Sequence, residues 1–378
     1  MRVALVITGF GLGGAEVQVA ELAANLAKRR VQVCVIVLTG DAGTHPLLQD
    51  AGVPIIPLGM RRGRADVRGA LSYVRTLRAF KPDVVHAHLF HANVLARLGR
   101  VSNRAPVVCT VHSLREAPVR AGGLVGVRVR AREWAYRLTD PLCAITTHVS
   151  ALGAARYARV RAVPVSKLCV IPNGVNHARF ERDEARRAQV RRAWGLENRF
   201  IWAWVGRIEA AKEPIHLVES FARCRSPRAS TLLIAGSGSL ELATRQRVTE
   251  LQMGDRVRFL GVSSDVPSLM NAADAFVLSS SREGLPMVLL EAASAGLPLV
   301  VTDAGGNREV VAEGAGVVVP VGEADALARS MDAVMDLEPV MLAEMGNRAR
   351  RHVVATYGIE TVVDRWMGLY CSLTGARS

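Results

Sequence analysis

Short apolar runs alternate along this chain with longer stretches whose apolar residues recur at helical spacing. In the first half the runs are Val3–Ile7, Val31–Leu38, Val84–Ala87, Pro106–Val111, Leu142–Ile145 and Leu168–Ile171. Amphipathic stretches such as Ala15–Lys28 and Asp66–Phe80 lie between them. The pattern restarts with Phe200–Val205, Thr231–Ala235, Val257–Leu260, Ala275–Leu278, Leu299–Thr302 and Val317–Val319. Near-continuous apolar strands separated by helices predict parallel sheets covered on both faces. The turn signal Ile171-Pro172-Asn173-Gly174 separates the two series, and a charged helical stretch, Glu181–Trp194, follows it. The expectation is an α/β protein of two doubly wound, Rossmann-like domains, 1–172 and 173–358, facing a central cleft. Loops at the carboxyl ends of the strands should carry the ligands. A last helix is expected over Ile359–Leu373. No short-period repeat or low-complexity tract stands out.

The length of 378 residues agrees with two domains. Half the residues are hydrophobic, which suits a globular enzyme and excludes a disordered chain. The six cysteines (Cys34, Cys109, Cys143, Cys169, Cys224 and Cys371) are scattered, with no C-x-x-C pair. Neither a zinc site nor a disulfide framework is indicated, and reduced thiols in the cytosol are the default. No signal peptide is read at the start, and no apolar run approaches the roughly 18 residues of a membrane span. Charge changes the picture more. The net charge is +14, yet Met1–Val170 alone has 24 Lys and Arg against 9 Asp and Glu, a net of +15. The basic excess therefore lies in the first half, and so should any polyanionic partner.

Candidate chemistry begins at Ile7–Glu16, ITGFGLGGAE. Gly9, Gly11 and Gly14 have the G-x-G-x-x-G spacing after a strand, a dinucleotide-binding signal. A dinucleotide fold wants an acid at the end of the second strand, and here Asp41 lies past that strand and late. Three readings stay open at this point: a dehydrogenase, a tight turn using glycine at positive φ, or a helix N-terminus facing another anion.

The second half carries more chemistry. Val205–Lys212 ends a strand and sets Arg207 and Lys212 five residues apart, a planar fork and a point charge suited to a diphosphate. Ile234–Gly238 is another strand and glycine turn. In Ser281–Glu291, Glu283 and Glu291 bracket Pro286, where a helix should begin. Eight helical residues span at most ~12 Å, about the reach from a sugar ring to the ribose of a nucleotide sugar.

With these pieces the chain resembles the family-4 retaining glycosyltransferases, whose architecture is GT-B. The resemblance spans essentially the whole sequence. It rests on GGAE near the start, VVHAH at Val84–His88, TVHS at Thr110–Ser113, IPNGVN at Ile171–Asn176, GRIEAAKE at Gly206–Glu213, FLGV at Phe259–Val262, and the E-x7-E segment with its tail EAASAGLPLVVTDAGGNREVV. No piece is specific alone; their order and spacing are. The resemblance implies that Arg207 and Lys212 bind the donor diphosphate and that Glu291 holds the ribose. It implies that Glu283, Gly284, Leu285 and Pro286 contact the transferred sugar, with Gly236 and Val262 also bordering the donor. Gly13 and Gly14 would close over the distal phosphate or sugar, and His112 would lie by the sugar. The final helix, 359–378, would pack back on the first domain. One departure stands out: the family often has Gly after the lysine, where this chain has Glu213.

Retention ordinarily suggests a carboxylate nucleophile. The resemblance implies front-face attack instead, with the departing phosphate taking the acceptor proton and with Arg207, Lys212 and helix N-termini stabilising it. Neither a metal nor another cofactor is then expected. His86, His88 and His91 lack a nearby carboxylate or thiolate, so a zinc site is not favoured. The stretch Val119–Arg137 joins Arg120, Arg128, Arg130, Arg132 and Arg137 to Trp134 and several aliphatics, as a surface for anionic lipid would. The plain alternative is a solvated helix face. Nucleic acid fits less well, because aromatics for base stacking are sparse. The expectation is a cytosolic enzyme on the inner membrane face. It would move a sugar from a nucleotide donor, UDP by its frequency in the family, to a glycolipid or polyprenyl-diphosphate-linked saccharide in surface polysaccharide or lipopolysaccharide assembly. A transferase with a soluble acceptor, an NAD-dependent oxidoreductase and a non-catalytic glycan- or lipid-binding relative are the rivals.

Overall fold

The computed structural model describes residues 1–11, 13–40, 45–61, 66–112, 124–263 and 265–375, without the side chains of 124–126 and 128. The chain forms two compact units, Met1–Gly174 with Ile359–Ser378, and Val175–Gly358. Among the described residues the first unit has seven parallel strands: β1 (Arg2–Ile7), β2 (Gln32–Val37), β3 (Ile55–Pro57), β4 (Val84–His88), β5 (Val107–Val111), β6 (Ile145–His148) and β7 (Leu168–Val170). Their order is β3-β2-β1-β4-β5-β6-β7. The second unit has six: β8 (Phe200–Val205), β9 (Ser230–Ala235), β10 (Val257–Gly261), β11 (Ala275–Leu278), β12 (Leu299–Thr302) and β13 (Gly316–Val319), in the order β10-β9-β8-β11-β12-β13. In each sheet the winding reverses beside the first strand, at β1/β4 and β8/β11. Loops leaving the carboxyl ends there open a crevice for ligands.

Period-two packing builds the first unit. Val3, Leu5 and Ile7 of β1 pack on one face, Ala4 and Val6 on the other. The helix Gly14–Lys28 covers the first face together with the last helix, Ile359–Thr374. Ile359, Val362, Val363, Trp366 and Tyr370 form the buried stripe of that last helix, at i, i+3, i+4, i+7 and i+11. Each such apolar side chain contributes about 2 kcal/mol when buried. In the second unit Phe200, Trp202 and Trp204 put the largest side chains of β8 into its core.

Two strands depart from the apolar pattern. β3 is short, follows Pro54 and ends on Pro57 at the sheet edge, where prolines are tolerated. β6 is Ile145–His148, not Leu142–Ile145, and Asp140–Leu142 is a single 3-10 turn. Thr146, Thr147 and His148 are buried through hydrogen bonds rather than through apolarity.

Candidate active site

The loops after β8 and β11 meet at the second unit's reversal point. Backbone bonds first join the β8 loop to the β9 loop: Ile208 N donates to Ser237 O at 2.9 Å and Leu240 N to Ile208 O at 2.9 Å. A Cβ on Gly236, whose φ is +141°, would lie 1.9 Å from the Gly206 carbonyl oxygen. Only glycine allows that approach. The Arg207 side chain is left 76% exposed, 3.3 Å from a Glu209 carboxylate oxygen. Lys212 instead turns inward and sets Nζ 2.5 Å from Oε1 of Glu283, with side chains 17% and 10% exposed.

Three serines after β11 hold this pair in place. Ser280 Oγ donates to Glu283 Oε1 at 2.6 Å, Ser279 Oγ to Lys212 O at 2.8 Å, and Ser281 N to Ala211 O at 2.9 Å. From β12, Thr302 Oγ1 donates to Ser280 O at 2.5 Å. Gly305 sits at φ +58°, and a Cβ there would meet the Glu283 carbonyl oxygen at 2.0 Å. Gly284, Leu285 and Pro286 are buried, and Gly306 N donates to Gly284 O at 2.9 Å. Pro286 precedes the helix Met287–Ser294, which starts without a side-chain cap. Its first N–H groups therefore suit an anion. Glu291 is half-buried on that helix, while Val262 is exposed just after β10. Glu213 adopts φ +49° and ψ +52°, the left-handed conformation that glycine takes more readily. Sequence reasoning found the charged residues but missed Ser279, Ser280, Thr302 and Gly305. The run Ser279-Ser280-Ser281 directly after a strand was the available signal.

In the first unit the helix Gly14–Lys28 starts at the carboxyl end of β1, with Gly13 as its N-cap and no side-chain cap. Gly9, Gly11, Gly13 and Gly14 all lack positive φ, so the glycine turn is not there for left-handed backbone. A Cβ on Gly13 would press on the Glu16 carboxylate, 2.3 Å away.

The histidines form a buried cluster. His86 Nδ1 is 2.6 Å from the Tyr370 hydroxyl, and its Nε2 is 2.7 Å from Thr110 Oγ1. His88 Nδ1 is 2.9 Å from His112 Nε2, just beyond the end of β5. Burial holds His86 and His88 well below the ordinary imidazole range. Burial, then the nearby His148, pushes His112 down to about 3. All three are neutral at pH 7, so in the His88–His112 contact one nitrogen donates and the other accepts. His91 is the second residue of the helix Phe90–Gly99. Among the described residues no group of three His, Cys, Asp or Glu side chains is placed to hold a metal ion.

The helix Leu124–Thr139 has two faces. Val127, Arg130, Trp134, Arg137 and Leu138 are exposed, and Arg137 stacks on Trp134 at 4.8 Å. Arg132 is not on that outer face: its guanidinium lies 5.1 Å over the Phe90 ring, beside a cavity. Arg120 lies outside the described residues, and so does the side chain of Arg128. Among the described residues no helix is long and apolar enough to cross a membrane.

Paired doubly wound units with cations and carboxylates at a reversal point define a nucleotide-handling α/β enzyme class. The comparisons narrow that class. The sequence model for glycosyl transferases group 1 matches residues 186–352, and the model for glycosyltransferase family 4 matches residues 12–179. The D-inositol 3-phosphate glycosyltransferase of Salinispora tropica is 31% identical over 376 residues, 90% of this chain and 77% of its own. The UDP-Gal:alpha-D-GlcNAc-diphosphoundecaprenol alpha-1,3-galactosyltransferase of Escherichia coli is 27% identical over 315 residues, 82% of this chain and 80% of its own. Among solved structures, Anabaena HepE in complex with UDP aligns over 98% of this chain and 100% of its own, with a TM-score of 0.84 at 20% identity. The same protein in complex with UDP-glucose aligns with a TM-score of 0.83. The chain belongs to the group 1, family-4 glycosyltransferases, and its fold is GT-B.

Proposed function

We propose that this glycosyltransferase moves a sugar, with retention and without a metal, from a UDP-sugar to a polyprenyl-diphosphate-linked saccharide at a membrane surface. Surface polysaccharide or lipopolysaccharide assembly is the setting this reading implies. The observation that carries it is the Lys212–Glu283 pair beside an uncapped helix N-terminus at the β8/β11 reversal. A cation with a carboxylate partner, next to a helix N-terminus that has no side-chain cap, is the equipment for gripping a diphosphate while a neighbouring carboxylate reads sugar hydroxyls. HepE is described in complex with UDP and with UDP-glucose, and the E. coli relative is named for a UDP-Gal donor and a diphosphoundecaprenol acceptor. These names support the UDP and lipid-linked parts of the proposal.

In this reading the second unit holds the donor. Arg207 and Lys212 take the diphosphate, Glu291 the ribose, and Glu283 with the backbone of Gly284, Leu285 and Pro286 the sugar; Gly236 and Val262 flank them. The first unit supplies the acceptor site, with Gly13 and Gly14 offering N–H groups to phosphate. The bond from the anomeric carbon to the phosphate oxygen breaks as the acceptor oxygen bonds to the same face. The acceptor proton passes to the departing phosphate oxygen. The protein's main contribution is electrostatic stabilisation of the leaving group. His112, neutral at working pH, steadies the sugar as positive charge develops. The outer face of Leu124–Thr139, with Arg130 and Trp134, lies on anionic lipid.

A thermal-shift panel of UDP, GDP, ADP, their common sugars and NAD(H) tests the donor. A ligand at 100 times its Kd adds about 2.7 kcal/mol. The expected result is a UDP-dependent rise in Tm that Glu291→Ala abolishes. A rise with NAD(H) alone would overturn the proposal.

A further inference from the structure

His86 and His88 alternate with Ala87 on β4 and so share one face of the sheet. Their rings lie with centroids 4.0 Å apart. His86 is fixed from both ends. The buried Tyr370 hydroxyl must place its proton, and its partner is His86 Nδ1 at 2.6 Å. His86 therefore carries its own proton on Nε2 and donates it to Thr110 Oγ1 at 2.7 Å. Thr110 in turn bonds Thr147 at 2.7 Å. Stacked on this locked ring, His88 reaches His112 Nε2 with its Nδ1, 2.9 Å away.

Two neutral imidazoles carry two ring protons between them. One lies between the facing nitrogens. The other sits on the outer nitrogen of whichever ring accepts. The outer nitrogens are His88 Nε2 and His112 Nδ1, and neither has a well-aligned hydrogen bond among the described residues. If His112 donates inward, the second proton sits on His88 Nε2. If His88 donates inward, it sits on His112 Nδ1. The surroundings separate the two cases. His88 is 1% exposed, and the imidazoles of His86 and His112 beside it disfavour added positive charge. His112 has the Asn173 side chain beside it, placed to favour a proton on the ring. It also lines a cavity of about 240 Å³ that Arg132 and Glu133 share. An enclosed N–H with no acceptor is costly, so the outer proton belongs on His112 Nδ1.

We propose that His88 is a positioning residue for sugar transfer: its Nδ1–H donates to His112 Nε2 and fixes both the direction of that ring and the nitrogen that carries its proton. A His112 so held has no free lone pair. It takes no proton from the acceptor hydroxyl and offers only an N–H. The acceptor proton is thereby left to the departing phosphate oxygen. The proposal rests on the transferase reading above only in giving His112 a place at the sugar.

The test uses the full chain with isotope-labelled histidine. Long-range proton–nitrogen correlation spectra tell a protonated ring nitrogen from a bare one, and His112→Gln identifies the His112 signals. His112 should be protonated at Nδ1 and bare at Nε2. His88→Leu removes the donor and should abolish that preference, whereas His88→Asn keeps an amide N–H near the Nδ1 position and should retain it. Release of UDP from UDP-glucose, UDP-galactose and UDP-N-acetylglucosamine, with water as acceptor, gives the kinetic readout. His88→Leu should lower kcat by about tenfold with KM changed by less than about twofold, and His88→Asn should recover most of the loss. A wild-type His112 protonated at Nε2, equal losses in the two variants, or a loss confined to KM overturns the proposal. Should His88→Leu prove unfolded, the wild-type spectrum decides. No UDP release together with no stabilisation by any nucleoside diphosphate would overturn the transferase reading, while the spectrum still decides which ring donates.

Discussion

Lys212 and Glu283 neutralise each other in a nearly water-free position, so each depends on the other for stability as well as for chemistry. Removing one partner strands a buried charge, which costs about 3 kcal/mol. Lys212→Ala should therefore lower the unfolding free energy obtained from urea titration by that amount, and adding Glu283→Gln should restore much of it. A double variant destabilised by the sum of the two single effects would show that the pair is not coupled. Arg207, by contrast, is exposed, and its loss should leave the urea midpoint nearly unchanged. The two cations looked alike in the sequence because spacing reports which loop a residue is on, not how deeply its side chain turns. The serines that bury Lys212 were illegible for the same reason. Ser279 acts on the backbone of a residue 67 positions away, a contact no local pattern encodes.

The elements were read more successfully where apolarity alone builds them. All six strands expected in the second half are present, within a residue or two at their ends; β8, β9, β11 and β12 are buried on both faces, and the edge strands β10 and β13 are apolar though only partly buried. β6 was misplaced because its interior is polar. Thr146 accepts from the fully buried Arg97 at 2.7 Å, and Thr147 meets Thr110 at 2.7 Å. The helix Leu124–Thr139 shows the opposite limit. Its sequence suggested one basic, apolar surface, whereas the structure turns Arg132 and Glu133 toward the cavity and leaves Arg130 and Trp134 outside. Each cation close to an anionic membrane is worth about 1 kcal/mol. Arg130→Glu combined with Trp134→Ala should thus weaken binding to phosphatidylglycerol liposomes by tenfold or more in a flotation assay. A comparable loss with Arg132→Gln alone would place that residue on the lipid face instead.

At the scale of the molecule, the two units differ in how they should respond to acid. The first holds His86, His88, His112 and His148, all pushed down by burial, His148 to about 4 and His112 to about 3. In the unfolded chain each returns to about 6.5. Between that value and the folded one the unfolded state binds more protons, so stability is complete above pH 6.5 and falls as the pH drops toward 4 and then 3. A single group contributes at most about 1.4 kcal/mol per pH unit while it is protonated only in the unfolded chain. The histidines of the second unit, His177, His216 and His352, are half-buried rather than fully buried. Hydrogen exchange at pH 7.5 and pH 5.0, corrected for its intrinsic pH dependence, should show β4, β5 and β6 losing protection in acid while β8, β9 and β11 keep theirs. The helix Ile359–Thr374 should open with the first group although more than 200 residues separate it from β6, because Tyr370 is tied to His86 and Trp366 packs on the His86 ring at 4.3 Å. Uniform loss across both units would mean that carboxylate protonation, not the histidine cluster, limits the acid stability of this enzyme.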